Sequence, residues 1–278
     1  VRGNATKTFW KYDIETNTWG AMADMPVFSS SSYKTQMTYP GSGDYIYVYP
    51  ENYTYLLRYK FKGENKNTWE FINKNEENGN AVSNNLVPNS IPGTGQFAMV
   101  GVGDKIYFHT MSDAQLFEYT ISTGLWSERM VEYTRPGRYF GNLIYYAPDN
   151  AVYMFKGFHS KTIFKYSLSD DKWVGAFSAP FFFDYGTKAV YPGSGNYIYV
   201  TEGNLTNRFW RYDITQNQWT RMASSVLFFD GAQIASGGGY IYAMSGINYT
   251  NATASQTSVS FYRYNIANDE WEALQNLD

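Results

Sequence analysis

The stretch FWKYDIETNTW, from Phe9 to Trp19, recurs as FWRYDITQNQW from Phe209 to Trp219 and as FYRYNIANDEW from Phe261 to Trp271. Each reads as a short aromatic strand, a polar turn and a second strand led by tryptophan. The same Tyr-to-Trp spacing joins Tyr119 to Trp126 and Tyr166 to Trp173, and a copy with three extra residues near Gly63 joins Tyr59 to Trp69. Successive tryptophans of this series stand 50, 57, 47, 46 and 52 residues apart. A period near 50 residues belongs to a propeller blade or a solenoid.

The rest of each repeat decides between the two. Before the later tryptophans lie DYIYVY from Asp44, DKIYFH from Asp104, NAVYMF from Asn150, NYIYV from Asn196 and GYIYAM from Gly239. These are short, β-branched and aromatic, as strands are. Each follows another short strand and a Gly- or Pro-bearing turn, such as PGSGD, GVGD or APDN, which reads as a hairpin. Four antiparallel strands per repeat make a β-propeller blade. The repeated Tyr and Trp are read as packing between blades, and Asp13 and Asp213 as acceptors within the turns that follow them.

The Tyr-to-Trp segments resemble the third and fourth strands of kelch repeats. The glycine pair that usually follows the second strand of a kelch blade is degenerate here: Gly157, Gly203 and Gly246 keep its second member, while Pro50-Glu51 and His109-Thr110 keep neither. The resemblance covers the whole chain and implies an all-β, kelch-type β-propeller. Residues 1–278 are expected to form a single domain of six blades, counted by Trp strands. Five blades are complete, at about 35–73, 95–130, 140–177, 186–223 and 231–275, and a half blade spans 1–25. Val1 aligns with the last residue of a second strand, so the inner hairpin of the first blade is missing. Three explanations stay open: a longer polypeptide, a strand donated by a neighbouring subunit, or a half-built blade.

Composition narrows the chemistry. The 278 residues include no cysteine and only two histidines, so disulfides, thiolate metal sites and Cys nucleophiles are excluded. Kelch-type copper-radical oxidases, which use a Cys-crosslinked tyrosine, are excluded with them. Aromatic residues make up 19%, charged residues 17%, and the net charge is −3, which gives no basic footprint for nucleic acid. No apolar run is long enough to span a bilayer. His109 and His159 fall in adjacent blades without acidic partners at a fixed spacing, so no metal site is assigned, and no cofactor is expected.

Loop lengths sort by face. The turns within the first and last strand pairs are short and uniform. The second-to-third loops and the blade connections vary, with insertions at 73–94 and 247–259, and variable loops on a rigid scaffold are where binding concentrates. Five Asn-x-Thr sequons, at Asn4, Asn52, Asn204, Asn248 and Asn251, all fall in second-to-third loops and read as glycosylation sites. The blade connections are aromatic, with Phe28, Tyr33, Tyr139, Phe140, Phe181, Phe182, Phe183, Tyr185, Phe228 and Phe229 expected mainly to pack between blades. Gln36, Gln96, Asn142 and Lys188 are expected at equivalent places on the inner strands, lining the mouth of a central channel as a ligand-binding set.

The leading expectation is a non-catalytic binding or assembly module, secreted or displayed on a cell or virion surface. It would serve through protein partners, self-assembly or glycans, for example as a subunit of an extracellular filament or surface layer. The alternative is a carbohydrate-active enzyme, an epimerase or lyase similar to bacterial kelch proteins acting on sialic acid. Lys188, His109, Asp184 and Asp230 are then the available bases. An intracellular adaptor is disfavoured by the missing cysteines and the sequons.

Overall fold

The hairpin that ends each repeat turns on one residue, two places before the tryptophan. In the computed structural model, which describes residues 6–28, 35–50, 55–72, 97–110, 115–129, 141–157, 159–184, 186–225, 228–229, 231–246 and 260–277, that residue is always left-handed. Asn17, Asn67, Asp171, Asn217 and Asp269 have φ of 55°, 68°, 53°, 52° and 56°, and Gly124 in the same place has 69°. Asn, Asp and Gly are the residues that adopt this conformation at least cost. The repeated tyrosine then reaches across and donates its hydroxyl to the turn residue. Tyr59, Tyr212 and Tyr264 reach Asn67, Asn217 and Asp269 at 2.8, 2.9 and 2.8 Å, and Tyr12 and Tyr166 bond Asn17 and Asp171 in the same way.

The residue after the tyrosine holds the other side of the turn. Asp13 Oδ1 accepts the N–H groups of Glu15 and Thr16 at 3.1 and 3.2 Å, and Asp213 Oδ1 those of Thr215 and Gln216 at 2.9 and 3.0 Å. Asn265 does the same for Ala267 and Asn268. Both sides of the turn are thus specified by side-chain oxygens. Tyrosine and tryptophan end up directly opposite each other in all six hairpins, from Tyr12↔Trp19 to Tyr264↔Trp271, with ring centroids 4.7–5.2 Å apart.

The fold is an all-β β-propeller, with five four-stranded antiparallel sheets and one two-stranded sheet among the described residues. The chain divides into two compact units, Val1–Pro136 and Gly137–Asp278. In the first unit, β1 (Trp10–Asp13) and β2 (Thr18–Ala21) pair with no third strand among the described residues. β3 (Gln36–Thr38), β4 (Tyr45–Tyr49), β5 (Leu56–Lys60) and β6 (Thr68–Ile72) form one blade, and β7 (Phe97–Val102), β8 (Lys105–Thr110), β9 (Leu116–Thr120) and β10 (Leu125–Arg129) the next. In the second unit, the blades are β11 (Asn142–Tyr146), β12 (Ala151–Phe155), β13 (Ser160–Ser167) and β14 (Lys172–Phe183); β15 (Lys188–Val190), β16 (Tyr197–Thr201), β17 (Phe209–Asp213) and β18 (Gln218–Arg221); and β19 (Gln233–Gly237), β20 (Tyr240–Met244), β21 (Phe261–Asn265) and β22 (Glu270–Ala273). A single 3-10 turn, Ala147–Asp149, is the one helical segment among the described residues.

The core lies between blades. β3 lies beside β7 in the first unit, and β15 beside both β11 and β19 in the second, so the first strands of successive blades are neighbours. Tyr49, Leu56, Phe97, Phe108 and Tyr119 pack between the two full blades of the first unit. Phe155, Phe181, Phe183, Val200 and Tyr212 do so between the first two blades of the second, and Tyr199, Phe209, Ile241 and Tyr264 between its last two.

One set of contacts repeats in both units. Phe9 meets the rings of Tyr59 and Trp69 edge-on at 4.7 and 5.1 Å, and Phe209 meets Tyr264 and Trp271 at 4.9 and 5.0 Å. Ala23 donates its N–H to Asn67 Oδ1 at 2.7 Å and accepts the Trp69 indole N–H at 2.8 Å. Ala223 likewise donates to Asp269 Oδ1 at 2.8 Å and accepts from Trp271 at 3.2 Å. The turn residue therefore serves its own tyrosine and the backbone of the preceding sheet with the same oxygen.

Replacing Asn67 tests this. Asn67→Asp, which keeps Oδ1, should change unfolding free energy in urea by less than about 0.5 kcal/mol. Asn67→Gly keeps the backbone conformation but loses both hydrogen bonds and should cost about 1–2 kcal/mol. Asn67→Ala should cost roughly 1 kcal/mol more, because alanine must also enter the left-handed region.

Candidate functional site

The inner-strand polar residues were expected as one level of a ligand site. Gln36, Asn142 and Lys188 are indeed each the first residue of an inner strand, opposite Tyr49, Phe155 and Thr201. Gln96 lies outside the described residues. The strand register places Ala98, opposite His109, at that level in its blade. Gln233, which the sequence reading passed over, stands at the same level in the last blade, opposite Met244. Its signal was available: it sits as far ahead of GYIYAM as Lys188 does of NYIYV, allowing for a shorter turn. In the second unit this level therefore holds Asn142, Lys188 and Gln233 on adjacent strands.

The segment leading into Lys188 is tightly bound. The Asp184 N–H donates to Thr187 Oγ1 at 2.8 Å, and the Thr187 N–H returns to the Asp184 carbonyl at 3.0 Å. Thr187 Oγ1 donates to the Glu202 carbonyl at 2.7 Å, and Asn142 Nδ2 donates to the Thr187 carbonyl at 3.1 Å. Thr201 Oγ1 accepts the Lys188 N–H at 2.8 Å and donates to the Gly186 carbonyl at 2.9 Å. Gly186 has φ 76°, and a Cβ there would stand 2.5 Å from the Phe229 carbonyl oxygen, so only glycine fits between these two connections. Asn142 and Lys188 are held by this network and not by sheet pairing alone.

His159 and Asp184 come together beside it. His159 Nδ1 lies 2.8 Å from Asp184 Oδ2, although 25 residues separate them and sequence spacing gave no acidic partner for this histidine. The imidazole lies flat on Phe182, with centroids 4.6 Å apart and planes at 10°. Lys161 Nζ stands over the same ring at 4.7 Å. His159 has φ 57°, uncommon for a residue other than glycine, and its N–H is tied to the Phe183 carbonyl at 2.9 Å.

His109, by contrast, is no surface group. It is buried in β8 between Ala98 and Leu116 of the flanking strands, and neither ring nitrogen has a hydrogen-bond partner among the described residues. Burial pushes its pKa down to about 4. Of the four groups considered as bases, His109 thus sits in the core of the first unit. Asp184 and Lys188 share one connection of the second unit, with Asp184 paired to His159, and Asp230 lies outside the described residues. No group of three His, Asp or Glu suited to a metal ion occurs among the described residues.

The aromatic connections divide. Phe181, Phe183 and Phe228 are buried, whereas Phe28 and Phe182 are exposed, with a lysine over each ring. Tyr33, Tyr139, Phe140 and Tyr185 lie outside the described residues. So do Asn4, Asn52, Asn248 and Asn251, which leaves Asn204 as the described sequon. Asn204 and Leu205 occupy the two central places of a tight turn, with φ 51° and 59°, closed by the Thr206 N–H on the Gly203 carbonyl at 3.0 Å. A leucine in this conformation is disfavoured by roughly 1–2 kcal/mol, and Leu205 is also exposed. The turn is braced by buried Glu202, which meets Arg208 at 2.6 Å and accepts the Trp210 indole N–H at 2.9 Å.

No protein-family model matches the chain, and a search of the curated proteins returns no match.

The buried histidine yields an acid-stability signature. His109 is neutral in the folded chain down to about pH 4, whereas an unfolded histidine binds its proton near 6.5. The stability this represents is present above pH 6.5 and is lost as pH falls toward 4, a loss of roughly 3 kcal/mol. Subtracting the pH profile of a His109→Leu variant from that of the parent in urea titrations should isolate this slope. Parallel profiles would show that His109 is not buried neutral.

Proposed function

We propose that the chain is a kelch-type β-propeller acting as a non-catalytic binding and assembly module outside the cell, on a cell or virion surface. The observation that carries this reading is β14. It is the edge strand of its blade and runs for 12 residues, against four or five for the outer strands β2, β6, β10, β18 and β22. Its outward side chains are Lys172, Val174, Ala176, Ser178, Pro180 and Phe182, one charge in six. Natural edges are kept short, charged or bulged so that they do not pair with other chains. β14 also carries two register shifts against β13 and a proline, Pro180, which blunt an edge, so its length and low charge are what favour pairing with a strand from another subunit.

The kelch assignment rests on the Tyr-to-Trp hairpins and the surviving second glycines. Display outside the cell rests on the sequons, of which Asn204 sits exposed at the tip of a rigid turn, open to a glycosylating enzyme.

Assembly is tested by light scattering coupled to gel filtration, from dilute to concentrated samples. The parent chain should gain mass with concentration, and Val174→Lys with Ser178→Lys should hold it as a monomer with an unchanged melting temperature. A parent that stays monomeric throughout sinks the assembly reading.

Display is tested separately. Peptide mapping of the protein made in its native host should find a hexosamine-bearing glycan on Asn204. An unmodified Asn204 peptide at full recovery would remove the support that this sequon lends.

A further inference from the structure

We propose that β14 pairs antiparallel with β14 of a second copy about a two-fold axis at Phe177, so that the assembly closes as a dimer. This rests on the reading of β14 as the pairing edge and deepens it, by naming the partner and the register.

Sheet pairing decides which backbone groups β14 offers. Residues opposite each other in an antiparallel pair either both turn their N–H and C=O groups toward one another or both turn them away. Thr162 turns toward β12, because its carbonyl accepts the Lys156 N–H at 3.1 Å. Phe164, two places on, turns the same way, toward Met154. Ser178 and Ala176 are their partners in β14, so the N–H and C=O groups of Ser178 and Ala176 point away from β13. Phe177 and Gly175 point inward instead, toward Ile163 and Lys165. β14 is the last strand of its sheet, and no described residue outside the sheet bonds the backbone of Ala176 or Ser178.

The usable edge is bounded on both sides. Val174 is the extra residue of one register shift, between Trp173, opposite Tyr166, and Gly175, opposite Lys165. The other shift begins beyond Ser178. There Pro180 has no N–H, and its carbonyl accepts the Lys161 ammonium at 3.2 Å. Between these breaks the strand offers a partner the outward groups of Ala176 and Ser178, each with one donor and one acceptor.

Those groups are complementary to themselves. With Phe177 on a two-fold axis, Ala176 of one copy lies opposite Ser178 of the other, and each such pair exchanges both N–H···O bonds. No donor or acceptor of the two residues is left over. Moving the register by two residues one way sets Ser178 against itself and Ala176 against Pro180, which cannot donate. Moving it the other way sets Ala176 against itself and Ser178 against the bulged Val174. Side chains favour the same register. On the exposed face it sets Ala176 against Ser178 and Val174 against Pro180, small against small and apolar against apolar. No residue of β14 beyond Lys172 is charged, so two copies of the edge meet without like-charge repulsion. A contact of this isologous kind uses the same patch on both copies and closes at two.

The chain has no cysteine, so introduced cysteines report contact directly. In light scattering coupled to gel filtration, the parent mass should rise with concentration to twice that of the chain and stop there. Ala176→Cys with Ser178→Cys should give a disulfide-linked dimer under mild oxidation, because directly opposite residues of paired strands stand within disulfide reach. Peptide mapping should place the link between positions 176 and 178 of different chains. Ser127→Cys, on the outer strand β10, should give no such dimer. Ala176→Pro removes an N–H that β13 does not use, so it should weaken the dimer roughly tenfold with an unchanged melting temperature. A parent that stays monomeric ends both the assembly reading and this one. Growth beyond twice the mass leaves assembly standing and overturns the closed pairing. A dimer that is lost in Val174→Lys with Ser178→Lys, yet is neither cross-linked by the cysteine pair nor weakened by Ala176→Pro, leaves the β14 edge standing and overturns this register.

Discussion

A single oxygen at a left-handed turn organises this molecule. At Asn67 and Asp269 the Oδ1 atom accepts a tyrosine hydroxyl from its own hairpin and a backbone N–H from the preceding sheet. The tryptophan two residues later returns a bond to the carbonyl of that same preceding residue. Turn geometry, strand register and blade-to-blade contact are thereby coupled. Loosening the turn frees the tyrosine, and the neighbouring sheet loses a donor and an acceptor partner together. The hydrophobic core between blades cannot supply this register by itself, because burial is non-directional. The hydrogen-bonded turn supplies the direction, and the aromatic rings around it supply most of the buried area.

The variation around that constraint is informative. Where the turn residue is Gly124, no side-chain acceptor exists at that place, and burial, helped by the nearby Tyr47 and Asp104, pushes the Tyr119 hydroxyl up to about 12. The blade ending in β14 departs in another way. Its outer strand does not leave the sheet four residues past the tryptophan, as the chain does at Ala23 and Ala223, but pairs with β13 to Ser178 and, after a register shift, again at Phe183. Phe181 from this extension stacks on Trp210 of the next blade at 5.2 Å and meets Trp219 edge-on at 5.3 Å. An aromatic side chain on the extended strand takes the place beside Trp219 that a backbone carbonyl holds beside Trp69 and Trp271. The same extension brings Phe182 and Asp184 alongside His159, contacts that exist only because this blade breaks the pattern.

The sequence was legible wherever an interaction is local and repeated. Tyr-to-Trp spacing, turn residues and alternating strands all lie within a few residues of each other, and each was written six times. The Asx turns at Asp13 and Asp213 were readable for the same reason. What could not be read was contact between residues far apart in sequence. Nothing near His159 announces Asp184, because the pair forms across the width of a hairpin whose length depends on where β14 stops. Nor does composition around His109 separate a sealed core histidine from a surface one. Its neighbours Tyr107, Phe108 and Thr110 alternate like any half-exposed strand. Counting back from an inner strand without its pairing partner also leaves the register free by two residues, and in this blade it is Ala98 that pairs with His109.

This division between local and distant contacts bears on where function resides in such a scaffold. The repeated hairpins are over-determined: each turn has an Asx acceptor or a left-handed residue, a tyrosine hydroxyl and a packed tryptophan, so a substitution at one of them is buffered by the others. The connections between blades carry no such redundancy, and they differ from one another. Gly186 fits because Phe229 passes within contact, and Leu205 tolerates its strained backbone because Glu202, Arg208 and Trp210 brace the turn beneath it. Strain of that size persists only where surrounding contacts hold it. The rigid repeat is therefore what permits exposed, unfavourable backbone at His159 and Leu205, and those two positions are where the second unit presents a positioned side chain to solvent.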